Sequence, residues 1–300
     1  MLLKFSKLVS FIVLSVILNF PSKIFAEPIR VFVSILPQKY FVERIGSPWI
    51  IAEALVGKDQ NPATYNPNPK QMVKLAKAPA FFRIGVPFEF VWLPRIVLAN
   101  RDMSVVDTHK GVSLIKMENF LDDKNLNVRA SNHSHMPNYR KDPHIWTDPK
   151  IVKIIGKNIK EALIKLIPNH KKRFENNYLK FVEDLDKLDF TIKETLRNVQ
   201  QRKFIVFHPS WGYFAKAYGL SQIAIETEGK EPGPRSLGKI IRLGKELGVK
   251  VIFVQKQFSK TSAQKIAGAL GARVEVVDPV AEDYLKNLLI VANIFSKALN

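Results

Sequence analysis

The 300-residue chain is 46% hydrophobic, carries twenty phenylalanines and contains no cysteine. That is apolar matter enough for one large or two medium domains built on a core, and it excludes a disulfide scaffold or a lipid anchor on an N-terminal cysteine. The formal charge is +19, yet the lysines are scattered among Glu and Asp along helical stretches. With no dense basic block, the charge reads as a solvated surface rather than a nucleic-acid footprint.

In the first residues, Lys4 and Lys7 precede the apolar run LVSFIVLSVIL at 8–18, and Phe25-Ala26 lead into EPIR. A short basic region, an apolar run too short to span a bilayer comfortably and a small residue before a polar start describe a secretory signal, cleaved after Ala26. An uncleaved anchor is the alternative. Removing residues 1–26 takes away three lysines and no acid, which leaves +16. No later stretch approaches membrane-spanning length, so a freely diffusing periplasmic protein is expected.

From residue 28, short β-branched runs alternate with amphipathic ones. IRVFVSIL at 29–36 predicts a strand and QKYFVERIG at 38–46 a helix, followed by a strand at 50–56. Beyond a Pro/Asn-rich loop come a helix at 69–78, a strand at 80–85, a helix with a proline kink at 89–100 and a strand at 104–107. Residues 108–143 pattern weakly and contain a polar insert near 120–141 with His133 and His135. A helix is predicted at 151–167. After Pro168, Phe174, Tyr178, Phe181, Leu185, Leu188, Ile192 and Leu196 form one helical stripe spanning roughly 35 Å. Strands then return at 203–207, 221–225, 249–254 and 273–277, with helices near 211–218, 236–247, 260–270 and 281–299. The alternation predicts parallel sheets covered by helices. The fold class is α/β, two lobes joined by a single long helix: an N-terminal lobe at 27–150, a helical segment at 151–201 and a C-terminal lobe at 202–300.

In α/β lobes, ligands gather at the carboxyl ends of strands. His208 directly follows KFIVF, Asp278 directly follows RVEVV, and His144 sits in KDPHIWTDP ahead of the linker helix. Three metal-capable groups at element boundaries far apart in sequence are how a cleft metal site is assembled. Singly, each has a structural explanation: a histidine between prolines packs in a loop, and an aspartate after a strand caps a turn. His109 and His170 sit in ordinary helix-flank contexts and are read as surface residues.

Taken together and in order, DPHIWTDP (142–149), FHPSWGYFAKAYGL (207–220), the segment at 225–259 and VEVVDPVAEDYLKNL (274–288) resemble the periplasmic metal-binding subunits of ABC importers for zinc and manganese. The likeness covers nearly all of the chain after the signal. It implies two Rossmann-like lobes on a backbone helix and metal ligands at His144, His208 and Asp278. The cargo would be Zn²⁺, with Mn²⁺ as the alternative ion, and the partner an inner-membrane permease with its ATPase; a monomer without nucleic acid is expected. His133 and His135 look like a shrunken histidine-rich capture loop. One departure stands out: where the family places a first histidine, in the loop GKDQNPATYNPNPKQM (57–72), this chain has Ala63. Tyr65, Glu228, the insert histidines and water are the candidate replacements.

Three ligands with an open position also describe catalytic zinc. A hydrolase would need a poised base, and Glu228 is a weak candidate; no HExxH pair is present. GKEP at 229–232 lacks the remaining residues of a P-loop, and no GxGxxG follows a strand. Transport is therefore preferred to catalysis. A binding protein on this scaffold that has lost its metal is the other alternative.

Overall fold

The computed structural model of the chain describes residues 27–117, 141–226, 233–258 and 260–300. The signal segment, the part of the insert holding His133 and His135, and Glu228 with GKEP lie outside the described residues.

The first lobe runs β1 (Ile29–Val33), α1 (Leu36–Gly46), β2 (Ile50–Ala54), α2 (Pro69–Leu75), β3 (Ala80–Arg83), α3 (Pro87–Ala99) and β4 (Ser104–Asp107). Two antiparallel-packed connecting helices follow, α4 (Pro149–Leu166) and α5 (Lys171–Leu196). The second lobe runs β5 (Lys203–Val206), α6 (Gly212–Ala217), β6 (Ser221–Ala224), α7 (Pro234–Glu246), β7 (Val251–Val254), α8 (Lys260–Leu270), β8 (Arg273–Val276) and α9 (Tyr284–Ala298). The sheet orders are β2-β1-β3-β4 and β6-β5-β7-β8, and every pairing is parallel. The two lobes thus repeat one topology, although the sequence shows no internal repeat.

Helix starts differ from the sequence expectation by two residues at α3, α4 and α7, for one reason. Pro87, Pro149 and Pro234 each occupy the first turn, where the missing N–H costs nothing and the fixed φ suits the helix. The first strand is shorter than expected because Ser34 and Ile35 turn away to cap α1. The Gln38 carboxamide oxygen accepts from the Ser34 N–H at 3.0 Å and from the Ile35 N–H at 3.4 Å.

The stripe on α5 is as the spacing predicts. Phe174, Phe181, Leu185, Leu188, Ile192 and Leu196 are buried, and Tyr178 is half-buried. This stripe does not face one lobe only. A single apolar core runs from Val31 and Phe41 in the first lobe, through Phe181, to Trp211 and Phe295 in the second. Phe41 on α1 meets Tyr284 on α9 with ring centroids 4.8 Å apart, and meets Phe181 on α5 at 5.8 Å. Lys39 on α1 pairs with Glu282 ahead of α9, and Arg44 pairs with Asp184 on α5. A second, smaller core fills the other face of the second sheet, under α7 and α8. Among the described residues no helix is long and apolar enough to cross a membrane.

His109 and His170 are not the free surface residues their contexts suggest. His109 Nδ1 lies 2.6 Å from Asp107 Oδ1, and its ring closes on Gly85, whose φ of +96° suits glycine. His170 stacks on Trp49 with centroids 4.2 Å apart. Both rings are half-buried.

Candidate metal centre

The local fold around His144 explains the residues that flank it. Asp142 closes a two-residue turn: its Oδ1 accepts from the His144 backbone N–H at 2.9 Å and faces His144 Nδ1 at 2.7 Å. Pro143 favours an extended Asp142, whose N–H donates to the Ile115 carbonyl at 2.9 Å. Beside it, Lys116 and Lys141 form an antiparallel bridge. The Tyr213 hydroxyl on α6 donates to the Asp142 carbonyl at 3.0 Å, fastening this strand pair to the second lobe. After a single 3-10 turn (Ile145–Thr147), Asp148 caps α4 by accepting from the Lys150 N–H at 2.8 Å. Trp146 is buried and donates from Nε1 to the Pro279 carbonyl at 2.6 Å. The turn is thereby locked to both lobes.

His208 lies two residues past β5. Its Nδ1 pairs with Oε1 of Glu226, a buried carboxylate two residues past the neighbouring β6. Phe258 stacks on the imidazole at 4.8 Å, and Gln255 donates to the His208 carbonyl at 2.7 Å and the Ser210 hydroxyl at 2.6 Å. Both histidines therefore present a carboxylate to Nδ1, which places the ring proton there and leaves the lone pair on Nε2. Those two Nε2 atoms face each other at 3.3 Å. Burial holds the His144 pKa below the ordinary histidine value in spite of Asp142, so the ring is neutral near pH 7.

Asp278 sits two residues past β8. Its Oδ1 accepts from the Val280 N–H at 2.9 Å, and Gln257 Nε2 and Lys256 Nζ approach its two oxygens at 3.5 and 3.8 Å. Two strand spacings, about 10 Å, separate the ends of β5 and β8. The structure brings His144 and His208 together and leaves Asp278 beside the turn that follows β7. Among the described residues, no three His, Asp or Glu side chains already form a closed metal-holding group.

Of the protein candidates to replace the family's first histidine, Tyr65 alone lies among the described residues, and its hydroxyl is already engaged. Ala63 is exposed. The Tyr65 hydroxyl is engaged with Gln71 Oε1 at 2.6 Å, and burial pushes its phenol pKa up. Asp142 and Glu226 were not among the residues singled out from the sequence. A signal for Glu226 existed: it stands at the same offset past its strand as His208 and Asp278. Asp142 could have been found from the Asp-Pro-His order, since an aspartate two residues ahead readily accepts from the backbone that follows. Gly212 completes the cradle. A Cβ there would stand 2.5 Å from Asp142 Oδ2 and 3.0 Å from Gln222 Nε2.

Two parallel α/β lobes that share a core along one long helix, with imidazoles converging where the lobes meet, match the architecture of a solute-binding protein. A model of the family described as zinc-uptake complex component A, periplasmic, matches residues 31–298, and the chain belongs to that family. It is 27% identical over 259 residues to the high-affinity zinc uptake system protein ZnuA of Bacillus subtilis, covering 84% of this chain and 78% of that protein. A putative metal-binding protein of Chlamydia muridarum is 28% identical over 268 residues, covering 89% and 90%. A crystal structure of ZnuA superposes with a TM-score of 0.83 at 36% identity, covering 91% of this chain and all of that one.

Proposed function

We propose that this chain captures Zn²⁺ outside the cytoplasm and delivers it to a membrane permease driven by an ATPase. The supporting observation is the pair of facing imidazoles. Two nitrogens bound to one tetrahedral zinc at about 2.0–2.1 Å stand roughly 3.3–3.4 Å apart, and His144 and His208 hold their Nε2 atoms at 3.3 Å. Two lone pairs at that distance repel unless a cation or proton lies between them. The carboxylates on Nδ1 orient the rings and raise their basicity as outer partners of a metal. Asp278 is the third ligand in this reading, released from Lys256, and water completes the coordination in place of the histidine that the chain lacks at Ala63. Such a site suits holding cargo, because the two carboxylates beside the imidazoles, Asp142 and Glu226, are engaged with their Nδ1 atoms.

In the same reading, residues 1–26 are a signal removed on export, the mature chain is a periplasmic monomer, and its lobes are 27–150 and 202–300 with 151–201 between them. The test is calorimetry on residues 27–300 stripped by chelator and titrated with Zn²⁺ and, separately, Mn²⁺. One-to-one zinc binding with Mn²⁺ weaker is the expected outcome; heats no larger than those of buffer would remove the proposal. Asp142→Asn and Glu226→Gln each keep an acceptor oxygen for Nδ1 but lose the charge. In a chelator competition, zinc affinity should fall about 10–100-fold in each.

A further inference from the structure

In the second sheet β6 and β5 end level with each other, β7 and β8 end level one residue further on, and each strand places a chemistry-bearing residue two positions beyond its end. In spatial order, β6-β5-β7-β8, these are Glu226, His208, Lys256 and Asp278. The register pairs Val206 with Ala224 and Val254 with Val276. Continued two residues past the strands, it sets His208 beside Glu226 and Lys256 beside Asp278. The side-chain contacts agree: His208 pairs with Glu226, and Lys256 Nζ lies 3.8 Å from Asp278 Oδ2.

The geometry points to Lys256 as a built-in cation that competes with the cargo for Asp278 and so sets affinity and release. This rests on the reading of Asp278 as a zinc ligand. Its carboxylate has one oxygen committed to the Val280 N–H, and the other is the one a metal would take. The ammonium faces that same oxygen. Lys256 also sits in a turn whose other side chains grip the site. Gln255 holds the His208 carbonyl, Gln257 approaches Asp278, and Phe258 stacks on the His208 ring. Its side chain remains about half exposed, so it can swing out to water without breaking a packed contact.

When zinc arrives, Lys256 yields the oxygen but stays tethered a few ångströms away as a like charge. That lowers affinity and favours departure. When zinc leaves, the ammonium returns and Asp278 is not left as an uncompensated anion. A site with two buried carboxylates behind its imidazoles and a third as ligand would otherwise hold a dication very tightly. Lysine suits the role better than arginine in its compactness, but the mechanism needs only the charge.

The test compares wild type, Lys256→Met, Lys256→Arg and Lys250→Met by competition against a chromophoric zinc chelator, with release followed by stopped flow. Lys250 precedes β7 and so lies at the opposite end of the same strand, which controls for net charge. Lys256→Met should bind zinc about 5- to 30-fold more tightly and release it correspondingly more slowly. Lys256→Arg and Lys250→Met should stay within about two-fold of wild type. Unchanged or weaker binding in Lys256→Met, or an equal shift in Lys256→Arg, would overturn the inference while leaving zinc capture intact. A wild type that binds no zinc would remove both together.

Discussion

Replacing His144 by alanine is expected to lower zinc affinity roughly 100- to 1000-fold, and His208→Ala by a similar factor. The figure follows from sharing an apparent zinc binding free energy of about 10–16 kcal/mol over four ligands. Loss of His144 has a second effect, because Asp142 is buried with its Oδ2 already lacking a hydrogen-bond partner among the described residues. Removing the imidazole strips Oδ1 of its side-chain donor as well, and an unpaired buried charge is costly. His144→Ala should therefore melt at a lower temperature than wild type even without metal. Adding Asp142→Asn to His144→Ala should restore much of the melting temperature and none of the affinity. That divergence, read by differential scanning calorimetry beside a zinc titration, separates a ligand from a packing residue. If the double variant recovered tight binding, His144 would not be a ligand.

Phe181→Ala is expected to destabilise the protein by about 3–5 kcal/mol, a large part of the total stability of an ordinary domain. Phe181 is fully buried on α5, with ring centroids 5.8 Å from Phe41 and 6.3 Å from Tyr40. Its neighbours belong to α1, and α1 in turn touches α9 through Phe41 and Tyr284. The cavity would open in apolar matter that both lobes share. Denaturant unfolding should therefore remain one transition, displaced to lower concentration by fluorescence and by circular dichroism alike. Two separated transitions would show that the lobes fold on their own cores.

The alternation of strands and helices was legible because its signals are local. VIFV at 251–254 and FIV at 204–206 are buried β-branched and aromatic runs, and the α5 stripe repeats over six turns. Helix starts slipped where proline was read as a boundary instead of a first-turn residue. His208, which the structure brings against His144, stood out in the sequence because it follows its own strand, as does Asp278, which stays beside the turn after β7. The partner of His208 was harder: Glu226 reaches it only because β6 pairs with β5 in a particular register, and register is a property of two segments at once. The shared core was not legible for the same reason, since Phe41 and Tyr284 lie 243 residues apart in sequence yet touch. The setting of His170 was missed because its partner, Trp49, belongs to a distant loop.

The two lobes carry the same strand order, yet they have given up the independence that a repeated unit usually keeps. A duplicated module can be swapped, deleted or recombined as long as its interior is its own. Here the interior is common property: α1 of one copy packs on α5 and α9, and the strand pair bearing Asp142 is fastened to α6 of the other. Neither half is an exchangeable part. Inheritance and engineering alike must treat the pair as the smallest unit, and grafts that exchange whole lobes between relatives would cut through the interior while grafts of the strand-end turns would not.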